Sequence, residues 1–221
     1  MHDHSNHAGP GGDPDARGPG VSFHIEPHAL RVIAVARAEW LRGVREWPGL
    51  GSDRLTVYVS KSMAGVRGQV YDTPNEAPWC GHFAAFCLAS VGFRSDFLLG
   101  VRVASDPKTT ASFGSTYRLS LLAHIDTARL VTKAADVRAG DVVSVGYDGQ
   151  SAWGSHIVIA AGAYEGDVLQ TFEGNAVGRL GGGSWGEGVI SGTRPSVRAR
   201  THKGFCFAFR PLAADFTEKA A

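Results

Sequence analysis

The sequence predicts an α+β fold in which helices come first and an antiparallel sheet follows. Between residues 27 and 124 apolar residues recur at helical spacing, whereas from residue 138 onwards short apolar runs are separated by turn residues. Helices followed by strands, rather than strands alternating with helices, are typical of α+β proteins. Glycine supplies 29 of the 221 residues, about twice the usual share, which disfavours an all-helical bundle.

Length and composition exclude several classes of protein. A chain of 221 residues is long enough for one domain with its own core. The formal net charge is +1 and no apolar run approaches the ~18 residues of a membrane span, so we expect neither nucleic-acid binding nor a membrane span. Three cysteines are too few for a disulfide framework. Because no Cys-x-x-Cys or His-Glu-x-x-His motif occurs, we expect no metal and no cofactor.

The two ends of the chain differ from the middle. The first 20 residues are rich in Gly, Pro, Asp and His and hold no large apolar residue after Met1, so we expect a disordered tail over residues 1–22. This tail lacks the basic start and apolar segment of a Sec signal peptide. We therefore expect synthesis in the cytoplasm, with release by lysis or by specialised secretion. The folded domain is expected at 23–212, and a polar tail at 213–221.

Four helices are predicted before the sheet, at residues 27–44, 52–59, 79–92 and 110–124. Pro27 suits the first turn of the first helix, and its apolar face is expected to consist of Leu30, Ile33, Trp40, Leu41 and Val44. The third helix is apolar on nearly every side, as buried helices are, and Gly92 is expected to end it. Residues 64–78 are rich in Gly, Pro, Asn and Asp and are expected to form a loop.

Short strands are predicted at residues 142–145, 157–160, 168–172, 189–190, 197–201 and 205–209. A turn at residues 165–167 joins the second and third strands, so their paired residue numbers should sum to about 331 in an antiparallel register. The glycine-rich segments 181–183 and 186–188 lack the Lys-Ser/Thr of a phosphate-binding loop. They are expected to form mobile loops.

Cys80 has the position of a cysteine nucleophile, in the first turn of the third helix. The free N–H groups and partial positive charge of a helix N-terminus favour a thiolate and offer a site for an oxyanion. Position alone leaves open the alternative that Cys80 is a small buried hydrophobic residue. Cys87, about 10 Å further along this helix, and Cys206 in a late strand are expected to be structural.

His156 is the candidate general base, because it begins a strand after a glycine-rich loop. His82 is two residues from Cys80 and points away around the helix. A histidine base needs a partner on its second ring nitrogen. The predicted register pairs His156 with Asn175 and places Glu173 diagonally on the same face, so both Glu173 and Asn175 are candidates for this partner.

Three tryptophans, Trp79, Trp153 and Trp185, are expected to line a groove for substrate. For Trp79 and Trp153 core packing is the default, since large aromatic side chains are commonly buried.

These residues, in this order, resemble the CHAP family, which comprises cysteine- and histidine-dependent amidohydrolases and peptidases of the papain-like superfamily. The matching segments are APWCGHFAAFCLASVGF at 77–93, VRAGDVVSV at 137–145, SHIVIAAG at 155–162 and TFEGN at 171–175. The helical segment at 36–52 resembles the part of phage and bacterial members that precedes the nucleophile. The resemblance extends over about residues 27–210.

The resemblance implies a papain-like fold with a nucleophile, Cys80, at the start of a helix that packs on an antiparallel sheet. It implies that His156 is the general base and that Glu173 or Asn175 orients its imidazole. It further implies hydrolysis of peptidoglycan or peptide amide bonds, as an N-acetylmuramoyl-L-alanine amidase or a peptide endopeptidase. Two alternatives remain: a delivered effector that deamidates or cleaves a protein, and a degenerate CHAP-like binding or structural module. A buried Cys80, or one without contact to His156, would favour the degenerate module.

Overall fold

The structure is a computed structural model that describes residues 25–45, 79–104 and 106–217. The predicted tail at 1–22, the helix predicted at 52–59 and the loop predicted at 64–78 lie outside the described residues. None of the described helices has the length and apolar character needed to cross a membrane.

The described residues form four α-helices and eight β-strands. The helices are α1 (Pro27–Leu41), α2 (Cys80–Ser90), α3 (Ser95–Leu99) and α4 (Thr116–Ile125). The strands are β1 (Val101–Val103), β2 (Asp106–Ala111), β3 (Leu130–Val131), β4 (Val142–Gly146), β5 (His156–Ala160), β6 (Val168–Arg179), β7 (Trp185–Pro195) and β8 (Gly204–Phe209). Strands β1 and β2 form a hairpin, and the other six form an antiparallel sheet in the order β3-β8-β4-β5-β6-β7. The predicted α+β class is confirmed.

Helix α2 is buried on all sides, as its composition predicts. Nine of its 11 residues are buried, and its side chains share one core cluster with Ile157, Ile159 and Phe172 of the sheet. The helix ends in a Schellman motif, in which Gly92 has a φ of 87° and the Phe93 N–H donates to the Leu88 carbonyl at 3.2 Å. The predicted role of Gly92 is confirmed.

Helix α1 begins at Pro27 as predicted but ends at Leu41, and only part of the predicted apolar face is in the core: Ile33, Trp40 and, beyond the helix, Val44. Leu30 and Leu41 are exposed, and the buried apolar residues of the helix are small: Ala29, Val32 and Ala36. Small side chains allow close approach here, because a Cβ atom placed on Gly140 would lie 2.7 Å from the Cβ of Ala29. The prediction is wrong for Leu30 and Leu41, because close packing, rather than the size of the apolar residues, selects the side of this helix that is most buried.

Helix α4 begins six residues later than predicted. Its N-cap is Ser115, whose Oγ accepts a hydrogen bond from the Arg118 N–H at 3.2 Å. The preceding residues 106–111 pair with β1 instead, which fits the strand preference of β-branched Thr109 and Thr110.

The predicted strands are found except the one at 197–201, which is irregular. Segment 186–188, predicted as a mobile loop, belongs to β7. At this point the chain after α1 joins the edge of the sheet, since the Val189 N–H donates to the Val44 carbonyl at 3.0 Å. A Cβ atom placed on Gly188 would lie 2.1 Å from that carbonyl oxygen, so glycine here permits a close backbone contact.

The folded part extends past the boundary predicted at residue 212. A short 3-10 helix, Ala213–Asp215, brings Asp215 into a buried ion pair with Arg129, in which Nη2 lies 2.8 Å from Oδ1. The ring of Phe216 packs on that of Phe93 at 5.3 Å between centroids. The predicted boundary is wrong because these two side chains are part of the core.

Candidate active site

Cys80 is the first residue of α2, where the sequence places it. The first turn of this helix packs closely on the segment before α4, because a Cβ atom placed on Gly81 would lie 1.8 Å from the Phe113 carbonyl oxygen. The Cys80 side chain is 7% exposed.

The environment of Cys80 favours its thiolate. Burial raises the pKa of the thiol, but a hydrogen bond and charge interaction with His156, together with backbone hydrogen bonds from Ile157 and Gly81, lower the pKa below its ordinary value. Burial acts to lower the pKa of His156, and its contacts with Cys80 and Glu173 raise it, so that the net shift is upward. Opposite shifts of the two groups favour transfer of the thiol proton to the imidazole.

Glu173 holds the other side of the imidazole. The Nε2 of His156 lies 3.0 Å from the Oε2 of Glu173, which leaves Nδ1 for the Cys80 sulfur. The predicted register is confirmed, since Ile159 pairs with Phe172 and Ala160 with Thr171, and each pair of numbers sums to 331. Of the two candidate partners, Glu173 is therefore the one that contacts His156.

The Glu173 carboxylate is fully buried and is held by three side chains. Its Oε1 accepts a hydrogen bond from Thr171 Oγ1 at 2.6 Å, and its Oε2 accepts from Arg194 Nη2 as well as contacting His156. Burial raises the pKa of this carboxyl, but His156 and Arg194 lower it to about 2. The group is thus a permanent anion at neutral pH, which favours the protonated form of His156.

Arg194 and Thr171 are site residues that the sequence did not reveal. Thr171 lies two residues before Glu173 on the same face of β6. Arg194 lies on β7 opposite Leu169, so its side chain is on that face too. The sequence predicts only residues 189–190 of β7 as strand, which left no alternation pattern from which to locate Arg194.

Two glycines make room for the Glu173 carboxylate. Gly192 lies opposite Thr171, and a Cβ atom placed on it would lie 2.9 Å from Oε1 of Glu173. Gly174 follows Glu173, and a Cβ atom placed on it would lie 2.6 Å from both the Phe83 Cβ and the Trp79 ring. Strand β6 can therefore pack on the first turns of α2, and Glu173 is positioned with it.

A β-bulge places Asn175 away from the imidazole. Glu173 pairs with Ile190 and Ala176 with Gly188, so that two residues of β6 lie opposite Val189 alone. Asn175 has a φ of 56°, a left-handed conformation that asparagine tolerates. Within the described part of the chain it makes no hydrogen bond to His156, and its half-buried side chain lines a cavity instead.

The cavity beside the imidazole has a volume of about 310 Å³. Its lining residues are Tyr147, His156, Asn175, Ala176, Val177, Arg194 and Lys203. The side chain of Lys203 lies over the Tyr147 ring, with Nζ 5.5 Å from the centroid. Two cationic side chains, Arg194 and Lys203, thus face the space next to His156.

The three tryptophans predicted to line a substrate groove do not line this cavity. Trp79 is fully buried against Gly174, and its predicted groove position is wrong because the core encloses its ring. Trp153 is 41% exposed and packs on Tyr117 with 5.2 Å between ring centroids. Trp185 is 74% exposed at the start of β7.

The other two thiols differ from Cys80. Cys87 is fully buried in the middle of α2. Cys206 is half-buried in β8, and burial raises the pKa of its thiol above the ordinary value although Arg198 opposes this shift.

The described residues contain no group of three or more His, Cys, Asp or Glu side chains placed to hold a metal ion. Comparisons of the chain with protein-family models, curated proteins and solved structures find no match.

Proposed function

We propose that this protein is a cysteine amidohydrolase or peptidase of the CHAP type, with a papain-like fold, that cleaves amide bonds in peptidoglycan. The observation that carries the proposal is the chain of contacts from Cys80 through His156 to Glu173. A nucleophile, a base and an orienting carboxylate in hydrogen-bonding sequence are the arrangement that thiol-dependent acyl transfer requires. The choice of peptidoglycan rests on the resemblance of the segments around these residues to CHAP enzymes.

In the proposed mechanism the Cys80 thiolate attacks the carbonyl carbon of the amide. The oxyanion that forms accepts hydrogen bonds from backbone N–H groups at the start of α2. The protonated His156 gives its proton to the leaving amine as the C–N bond breaks, which produces a thioester. His156 then takes a proton from water as the water oxygen attacks the thioester carbon, and the C–S bond breaks. The acid is released, and Cys80 returns as a thiolate beside protonated His156.

Glu173 acts in this mechanism through His156. It keeps the imidazole oriented towards Cys80 and stabilises the imidazolium that forms in each half-reaction. Arg194 and Thr171 hold Glu173 in turn, so they are positioning residues.

Digestion of purified peptidoglycan, followed by mass spectrometry of the fragments, tests the proposal. Wild-type protein and the Cys80→Ala and Cys87→Ala variants are compared, because both cysteines lie on α2 and only Cys80 contacts His156 within the described chain. New fragments are expected with wild type and Cys87→Ala but not with Cys80→Ala. Their masses distinguish an amidase from an endopeptidase.

Activity of Cys80→Ala would refute the proposed mechanism. A folded wild-type protein that releases no fragment from several types of wall would refute peptidoglycan as the substrate.

One observation favours the alternative of a non-catalytic CHAP-like module. Cys80 is 7% exposed, and a nucleophile must be reached by its substrate. Against this alternative, a lowered Cys80 pKa and a fully buried Glu173 carboxylate are costly arrangements that a module without catalysis does not need. Alkylation of Cys80 in the native protein distinguishes the two, since the non-catalytic module predicts an unreactive thiol.

A further inference from the structure

We infer that the cavity beside His156 is a subsite for a carboxylate that the substrate carries next to the scissile amide. Lys203 and Arg194 line this cavity together with Asn175. The inference rests on the proposed function and names the substrate class of the same site: a peptide with a free carboxylate adjoining the amide that is cleaved.

The charges around the cavity do not balance within the described residues. Glu173 neutralises Arg194, with which it forms an ion pair. The Cys80–His156 pair has no net charge, whether it is thiol and imidazole or thiolate and imidazolium. No carboxylate of the described chain lies within ion-pair distance of Lys203, so one positive charge remains for a ligand to neutralise.

Both cations have hydrogen-bond donors to spare. Arg194 uses Nη2 for Glu173, and its buried Nε has no acceptor among the described residues. The Lys203 ammonium carries three donors, and it lies over the face of the Tyr147 ring, which accepts none of them as a conventional hydrogen bond. A planar carboxylate has two oxygens with which to accept from both groups.

The subsite adjoins the imidazole that contacts the reacting sulfur, because His156 lines the cavity. Lys203 is half-buried, and its burial and the repulsion by Arg194 lower the pKa of its ammonium group. Attraction by Cys80 and Glu173 raises this pKa, but the net shift is downward. A carboxylate bound between Lys203 and Arg194 relieves the repulsion between these cations and lies beside the amide that Cys80 attacks.

Competing alkylation of Cys80 in the full chain tests the inference without a known substrate. Iodoacetate and iodoacetamide deliver nearly the same group to the sulfur and differ in carrying a carboxylate or a carboxamide. We compare the ratio of their rates at Cys80 in wild type, Lys203→Gln, Lys203→Arg and the control Lys133→Gln, in which an exposed lysine loses its charge. The rate with iodoacetate divided by the rate with iodoacetamide is expected to fall about fivefold in Lys203→Gln. The same ratio is expected to be retained in the other two variants.

Two outcomes of the alkylation experiment would overturn the inference, and they differ in what else they affect. An equal ratio in wild type and Lys203→Gln, with Cys80 reactive towards both reagents, would show that the cavity does not bind a carboxylate. It would not contradict the proposed function. The second outcome is that neither reagent modifies Cys80 in the native protein, although both modify it in the denatured chain. This result would contradict both the proposed function and the subsite.

Hydrolysis of matched peptides identifies which carboxylate is bound. One pair carries glutamate or glutamine next to the scissile amide, and a second pair ends there in a carboxylate or a carboxamide. Wild type is expected to show a KM about tenfold lower for the acid of one pair, and Lys203→Gln is expected to lose this preference. Equal KM values for acid and amide in both pairs with wild type would overturn the inference.

Discussion

At the scale of single residues, the three thiols of this chain differ in their surroundings rather than in their chemistry. Cys80 lies at the start of α2 in contact with His156, and Cys87 lies in the middle of the same helix. Cys206 lies in β8, where its sulfur is near the Arg198 guanidinium. Exposure alone would make the half-buried Cys206 more reactive than Cys80. The pKa shifts act in the opposite direction, because the pKa of Cys80 is lowered and that of Cys206 is raised.

We expect alkylation by iodoacetamide to separate these two thiols by pH. The rate at Cys80 should reach its plateau below the pH at which Cys206 begins to react, since the thiolate is the reactive form and Cys80 keeps it at lower pH. Rates are measured by mass spectrometry of digested protein from about pH 5 to about pH 10. Superimposable pH profiles for the two residues would show that His156 does not activate Cys80.

A second prediction at this scale concerns the residue that orients His156. Glu173→Gln retains the shape of the side chain but removes the charge that stabilises imidazolium and leaves Arg194 without its ion pair. We expect kcat to fall about 100-fold or more. Asn175→Ala is the matched control, and its effect should be smaller and appear in KM, because Asn175 lines the cavity. A larger kcat loss in Asn175→Ala would assign the orienting role to Asn175.

At the scale of secondary-structure elements, the site is built by β6 and β7 packed on the start of α2. Strand β6 supplies Thr171 and Glu173, and β7 supplies Arg194 and the space over Gly192. Contact between β6 and α2 depends on Gly174, because a side chain there would overlap Phe83 and Trp79. This packing positions the carboxylate relative to the helix that carries Cys80.

Gly174→Ala should therefore damage the site and the fold together. Strand β6 must move away from α2 to admit the methyl group, and we expect a loss of about 1–3 kcal/mol in the free energy of unfolding together with reduced activity. Gly182→Ala is the control, since a Cβ atom on Gly182 meets no atom within 4 Å. Urea denaturation of both variants measures the effect, and equal stabilities would contradict the predicted overlap.

At the scale of the whole molecule, the end of the described chain is fastened to the core by a buried ion pair. Asp215 receives two hydrogen bonds from the Arg129 guanidinium and a third from the Leu212 N–H at 2.7 Å. Arg129 also lies over the Phe97 ring, with 4.9 Å between its Cζ and the centroid. The pair links the segment after β8 to the segment between α4 and β3.

We expect Asp215→Asn to lower the free energy of unfolding by about 1–3 kcal/mol, because it weakens the hydrogen bonds of the buried Arg129 guanidinium and leaves only the partly exposed Asp126 carboxylate as its counter-charge. Asp167→Asn is a matched control at an exposed turn, where the carboxylate accepts a hydrogen bond from Ser196 at 2.8 Å. Its effect should stay within about 0.5 kcal/mol. Equal thermal stability of the two variants would show that the Arg129–Asp215 pair does not hold the C-terminal segment.

Features that depend on neighbouring residues could be predicted from the sequence. The helical and strand periodicities, the turn at residues 165–167, the end of α2 at Gly92 and the location of Cys80 at a helix start are of this kind. Even the register between β5 and β6 follows from the position of one tight turn. In each case a few consecutive residues carry the physical cause, so their order along the chain is sufficient.

Features that depend on contacts between distant segments required the folded structure. The bulge at Gly174 and Asn175 turns one of two equivalent candidates away from His156, and a single inserted residue is enough to reverse the side of a strand that a residue faces. Three other features likewise arise from packing between segments far apart in the chain. They are the ion pair of Arg194 with Glu173, the face that α1 buries and the ion pair of Asp215 with Arg129. No local pattern encodes these contacts, because each depends on the space that the other segment leaves.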